Sequence, residues 1–336
     1  MGAELLHLGG VFSALLLLLT VPFLPISYLL FRDQQWPKIL FSSMVMGCSL
    51  QASIGTVWSH LRIQLPPATQ IAVLAIAWLL LLALSFWRAG KRHIVVCTID
   101  DEAIHPGLIA VLLLGFVVRA IHPLEVAYLG QSDAYTHLNY VRNIVDLGIL
   151  NNPVYPAGYH WILALPSLIF SVDPYYTARF AGALFGTGLI LGIYVFLEQC
   201  IDRRTALFGS FCAAAFPGMV LLMKTGVGSF ANQFGLMLLP AVFMSYVLSV
   251  SARSSTSNDR LLLAISVLGL AAAVPMMLLH VLWIVGLERL VMLIRNRRKW
   301  LGTTSGTVLL LLPAMFLFSF HISQLGGGQR LSLIHI

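Results

Sequence analysis

Apolar residues run along this chain in long blocks separated by short polar turns. A helix needs roughly 20 apolar residues to cross the hydrocarbon core of a bilayer. The blocks predict ten spans: Val11–Phe31, Ile39–Trp58, Ala68–Trp87, Ala103–Ile121, Thr177–Glu198, Thr205–Met223, Ser229–Val250, Leu261–Pro275, Met276–Ile294 and Thr303–His321. The Leu261–Ile294 block is too long for one span, and Pro275 is where it breaks. One more apolar stretch, Pro156–Val172, either crosses or lies flat, and that choice sets the side of every later loop.

The basic residues make the choice. With the N-terminus outside and Pro156–Val172 not crossing, 14 of the 20 Lys and Arg residues fall on the cytoplasmic side. If the stretch crosses, only 8 do. Cytoplasmic loops are enriched in Lys and Arg, so the first arrangement is preferred. Pro156–Val172 is then a helix at or shallowly in the outer interface. The chain is expected to be a multi-pass protein of the cell membrane, with its N-terminus and the 122–176 loop extracytoplasmic. The opening MGAELLHLGG has no Lys or Arg, so Val11–Phe31 reads as a retained span and not a cleaved leader. Residues 1–102 form a three-span extension and 103–294 a core that contains the large loop. Residues 295–324 are a basic turn with a last span. Residues 325–336 fit no structural pattern and read as an artefactual or truncated tail.

Composition agrees with the pattern. Hydrophobic residues make up 59% of the chain, charged ones 10%, and mean hydropathy is +0.89. Soluble domains carry about 25% charged residues. A soluble globular protein, a disordered chain, a coiled coil and a disulfide scaffold are excluded. The net charge of +7 sits in the turns between apolar blocks, which orients a membrane protein, and no nucleic-acid partner is expected. Cys48, Cys97, Cys200 and Cys212 form no Cys-x-x-Cys pair and read as small hydrophobes.

The chemistry concentrates in the loop. Four of the 13 acids, Glu125, Asp133, Asp146 and Asp173, lie in the His122–Asp173 segment. So do His122, His137, His160 and the tyrosines at 128, 135, 140, 155 and 159. Ser132 is a candidate N-cap, Asp133 suits the first turn of a helix, and Gly148 is a natural stop. Four residues apart, Asp133 and His137 share one helix face, with Tyr140 a turn further on. Leu138, Val141 and Val145 make an apolar side that could rest on the membrane. Asp133 is a candidate general base, with His137 orienting it or binding a phosphate or a metal ion beside it. The competing structural role is capping by Asp133 and an interface contact by His137. In Tyr155-Pro156-Ala157-Gly158-Tyr159-His160-Trp161, Tyr159 and Trp161 suit an interfacial aromatic belt. His160 has no apolar reason to be there and is a second candidate site residue.

The segment GQSDAYTHLNYVRNIVDLGILNNPVYPAGYHWILALPSLIF resembles the first outer loop of GT-C fold glycosyltransferases. The nearest likeness is to bacterial membrane proteins with an Asp-Ala-x-x-His-Leu motif followed by Tyr-Pro-x-x-Trp/Tyr-His. The similarity extends over roughly 103–294. It implies a GT-C-like helical bundle with amphipathic interfacial helices in the first large outer loop. It also implies a transferase that takes its sugar from a polyprenyl-phosphate-linked donor. The family's catalytic acid corresponds to Asp133 and the motif histidine to His137. Tyr155, Tyr159 and His160 fall in the substrate-binding element. The lipid-phosphate leaving group wants cationic neighbours, and Arg119, Arg179 and Lys224 are the candidates. A divalent cation, Mg or Mn, would involve Asp133 and His137 if there is one. The chain departs from the family pattern by having four spans before the loop where one is usual. It also has Lys224 and Asn232 where many relatives have a second acid. The expected partners are the lipid-linked sugar and membrane lipids. A transporter or flippase of a lipid-linked substrate, and a non-catalytic scaffold of the same fold, stay open as alternatives.

Overall fold

The computed structural model describes residues 2–62, 66–90, 104–130, 132–150, 155–216, 230–250 and 257–295. Helices form where the apolar blocks run, and prolines and glycines set their ends. Helix α1, Gly2–Leu19, meets a 3-10 turn at Val21–Phe23 and continues as α2, Leu24–Phe31. Pro22 and Pro25 lack an N–H for the helical ladder, which is why this apolar block is broken. The block also starts at Gly2 and not at Val11, because Leu5, Leu6 and Leu8 extend it backwards. Next come α3 (Trp36–His60), α4 (Pro67–Gly90), α5 (Pro106–Glu125), α6 (Ser132–Leu147), α7 (Gly158–Phe170) and α8 (Pro174–Cys200). They are followed by α9 (Arg203–Ala215), α10 (Phe230–Val250), α11 (Ser257–Ala273) and α12 (Pro275–Arg295). The break between α11 and α12 falls at Val274–Pro275, as Pro275 requires. The expected span Thr303–His321 lies outside the described residues, and Thr205–Met223 is described only as far as Phe216.

Among the described residues there is no strand. Five helical stretches are long and apolar enough to cross a membrane: Gly2–Phe31, Trp36–His60, Pro106–Glu125, Pro174–Cys200 and Ala231–Ser249. The protein is an all-α polytopic membrane protein. At its centre, α8 packs against α10, α9, α5 and α1, while α3 packs against α11 and α7. The bulkiest buried side chains, among them Trp161, Tyr159, Tyr194, Phe41 and Phe185, fill the space between these helices.

Helix α3 is the most enclosed of the five and carries many polar side chains. Where water is absent, such groups need partners inside the protein. The Thr56 hydroxyl donates to the Ala272 carbonyl at 2.8 Å, and the Gln51 amide donates to the Leu18 carbonyl at 2.6 Å. Lys38 reaches Asp259 at 3.2 Å, with both side chains almost fully buried. The polar residues of α12 are also engaged. A His280 ring nitrogen lies 2.7 Å from the Met276 carbonyl, and Glu288 accepts from the Tyr246 hydroxyl at 2.5 Å.

The position of α7 corrects one expectation. Its residues 158–166 are all buried, by α3, α6, α8, α11 and α1, so Tyr159 and Trp161 are core residues and not a belt at the lipid headgroups. GYHWILALPSLIF is apolar on every side, and a helix of that kind is enclosed by protein. Trp161 stacks on Trp58 at 5.7 Å between ring centroids and lies against Gly55. At the other end of the turn, Gly158 sits between two neighbouring backbones. A Cβ there would stand 2.6 Å from the Ala272 carbonyl oxygen and 2.8 Å from that of Ala52. Neither is a flexible side chain that can swing aside. Gly158→Ala is therefore expected to destabilise the fold by about 1–3 kcal/mol through overpacking. The check is the thermal midpoint in detergent; an unchanged midpoint would show that α7 can move off α3 and α11.

Candidate functional site

Helix α6 is placed by its apolar side. Ala134, Leu138, Val141 and Ile144 are buried, and the helix packs on α7 and α8. This side meets protein, where the sequence suggested contact with the membrane. The helix ends at Leu147, and Gly148 takes the left-handed conformation at φ 73° that a glycine adopts without strain.

This packing aims His137 inward at His160 of α7. His137 Nδ1 lies 2.7 Å from His160 Nε2, and the two rings stack at 5.0 Å between centroids. His160 is completely buried and His137 nearly so. The tyrosines enclose the pair edge-on: Tyr140 at 5.2 Å and Tyr155 at 5.4 Å from His160, and Tyr159 at 6.3 Å from His137. On its far side, His137 Nε2 lies 3.4 Å from Asp133 Oδ2. The Asp133 side chain is 51% exposed. The result is an accessible carboxylate backed by two buried imidazoles in an aromatic sleeve.

The electrostatics follow from this burial. Burial, and secondly the neighbouring His137, push the His160 imidazole well below the usual histidine range, against a smaller opposite pull from the Pro156 carbonyl. His160 is neutral in the folded protein. Burial, then the Asp133 carboxylate, then Tyr140, push the Tyr155 phenol up, so it stays protonated as a donor. A histidine whose pKa is depressed by folding binds fewer protons folded than unfolded. Its stabilising contribution is complete above the unfolded value of about 6.5 and is lost as pH falls below it. The thermal midpoint is expected to drop between about pH 7 and pH 5, and His160→Gln to flatten that slope. An equal slope in the variant would show that other groups set the acid sensitivity.

Asp133, His137, Tyr155, Tyr159 and His160 thus converge, joined by Tyr140. The predicted cations are engaged elsewhere. Arg119 is buried and donates to the Ala213 carbonyl at 2.8 Å and to the Gly115 carbonyl at 3.1 Å, holding the C-terminal end of α9. Arg179 meets Glu4 at 2.7 Å and donates to the Pro123 carbonyl at 2.8 Å. Lys224 lies outside the described residues. Sequence reasoning missed the contact of α1 with this region. Besides Glu4 on Arg179, His7 stacks on Tyr176 at 3.7 Å. The signal was there: Glu4 and His7 are three residues apart, hence on one face, at the head of an otherwise apolar block.

Among the described residues, no three His, Cys, Asp or Glu side chains converge as an all-protein metal site needs. Both His137 nitrogens face other groups of the site.

The fold and this site define a polytopic helical membrane protein that presents one anchored carboxylate. The chain belongs to the family of unknown function DUF6541, whose model matches residues 16–331. No curated protein and no solved structure matches it.

Proposed function

We propose that the protein is a membrane glycosyltransferase of the GT-C type. It moves a sugar from a polyprenyl-phosphate-linked donor to a cell-envelope acceptor on the extracytoplasmic face of the cell membrane. The observation that carries this reading is the exposed Asp133 carboxylate seated on buried His137. A catalytic base must be open to substrate yet fixed in direction, and those are the two properties of this group. The resemblance of the loop motif to GT-C enzymes supports the same reading.

In the proposed reaction, Asp133 takes the proton of an acceptor hydroxyl as its oxygen attacks the anomeric carbon. The bond from that carbon to the lipid phosphate breaks, and polyprenyl phosphate leaves with the electron pair. The phosphate is a good leaving group, so the base and the alignment of the two substrates carry most of the catalysis. Arg119 and Arg179 serve the fold in this scheme, and Lys224 remains the cation proposed for the phosphate.

Two measurements test the proposal. Purified protein in lipid vesicles is given labelled polyprenyl-phosphate hexoses and pentoses with a panel of envelope acceptors; transfer of label to an acceptor is expected. In cells, Tyr135→Cys, in a background with Cys48, Cys97, Cys200 and Cys212 changed to alanine, is expected to react with a membrane-impermeant maleimide, since Tyr135 is 47% exposed. Labelling only after the cells are opened would put Asp133 on the wrong side for this reaction.

A further inference from the structure

His160 has no exposed surface, so it cannot meet a substrate as the resemblance implied. Its contacts are His137 and the three tyrosines, and through His137 it stands one imidazole away from Asp133. We propose that His160 is a positioning residue: its Nε2–H donates to His137 Nδ1 and thereby fixes His137 as the tautomer whose Nε2–H points at Asp133. This role rests on Asp133 being the base of the proposed reaction.

The hydrogen count carries the argument. The 2.7 Å separation between His137 Nδ1 and His160 Nε2 leaves room for one proton shared along that line. If His160 supplies it, His137 Nδ1 is the acceptor and its own proton must sit on Nε2, 3.4 Å from the Asp133 carboxylate. His160 Nδ1 is then a bare acceptor, and this buried nitrogen has no well-aligned hydrogen-bond partner. In the reverse arrangement, His160 Nδ1 becomes a buried N–H aimed at no aligned acceptor. In a neutral His137, Nε2 then turns a lone pair towards a carboxylate oxygen. Two unfavourable contacts replace one, because orphaned buried donors are costlier and rarer than under-satisfied acceptors. The Pro156 carbonyl near His160 favours the reverse arrangement. It does so as a neutral acceptor out of hydrogen-bond alignment, whereas His137 faces a charged carboxylate 3.4 Å away, and contacts to ionised acceptors are the stronger kind. The ring stacking at 18° between planes and the edge-on Tyr140 and Tyr155 keep either imidazole from turning away.

The test reads tautomers directly. Full-length protein with 15N-labelled histidine, in lipid nanodiscs at pH 8, is compared with His160→Gln and His160→Phe. Glutamine can still donate to His137 Nδ1, whereas phenylalanine fills the space without a donor. His137 is expected to carry its proton on Nε2 in the native protein and in His160→Gln, and to lose that preference in His160→Phe. In sugar transfer, His160→Phe is expected to lower kcat by about 10–100-fold with KM kept, as when an outer partner that orients a functional imidazole is removed. His160→Gln is expected to recover most of it. An Nδ1–H tautomer of His137 in the native protein, or one unmoved by His160→Phe, would overturn the proposal. So would a full kcat in the phenylalanine variant. If no donor sugar is transferred by the native protein, the transferase reading fails, and the tautomer measurement alone decides the positioning role.

Discussion

Asp133→Asn is expected to lower sugar transfer by about 10²–10⁴-fold in kcat, the range that a positioned general base contributes. Asparagine keeps the size of the side chain and can still meet the His137 imidazole, but it cannot take a proton at neutral pH. The side chain is half exposed at the start of α6, so its loss as a carboxylate leaves the core intact. Expression, thermal midpoint and donor KM are expected to stay near native values. This separation is what distinguishes an enzyme from the alternatives. A scaffold would be indifferent to the change, and a flippase would move its lipid with or without a base at this position. His137→Phe should also lower kcat but, being buried, should cost stability as well. Native transfer by Asp133→Asn would remove the base from the mechanism and with it the reaction as written.

The parts of this picture that were legible in the sequence are the local ones. Asp133 and His137 four residues apart, with a stop at Gly148, placed both groups on one face of one helix. The break at Pro275 and the helical character of the described residues follow from apolar block length and from the chemistry of proline. The partner of His137 was not legible, because His160 lies 23 residues away on a different helix and only packing brings the rings together. The burial of α7 had a signal that charge counting obscured: the helix has no polar face to lay on water. The contacts of the arginines were hidden for a different reason. Arg119 and Arg179 sit near helix ends, where a lipid anchor and a carbonyl-capping donor look the same in sequence. Gly186 is the residue that makes room for the inward course of Arg119, and a glycine gives no hint of which side chain it will admit.

The buried pair of Lys38 and Asp259 is expected to be the most sensitive polar contact of the fold. The residues are 221 positions apart, on α3 and α11, 3.2 Å from nitrogen to oxygen and almost wholly enclosed. Asp259 lies in the first turn of α11, where the helix dipole also favours a negative charge. Lys38 further lies 3.5 Å from Gln34 Oε1 and 5.2 Å from the centre of the Phe31 ring. Removing one partner strands the other charge where solvent cannot compensate it, so Asp259→Asn is expected to cost about 3–5 kcal/mol. The combined Lys38→Met, Asp259→Leu variant strands no charge and should regain most of that loss. A double-mutant cycle on unfolding in detergent measures the coupling. If the single and double variants are equally unstable, packing around the pair matters and its charges do not. The consequence reaches the site along the length of α3 and α11, from the first turns of both helices to their far ends. Along the same α3–α11 seam, Thr56 bonds the Ala272 carbonyl, and the Ala52 and Ala272 carbonyls together enclose Gly158, two residues before His160. Slippage of α3 on α11 therefore shifts the turn that seats His160. Asp259→Asn should consequently lower transfer although it does not touch the reacting groups, and the double variant should restore transfer together with stability.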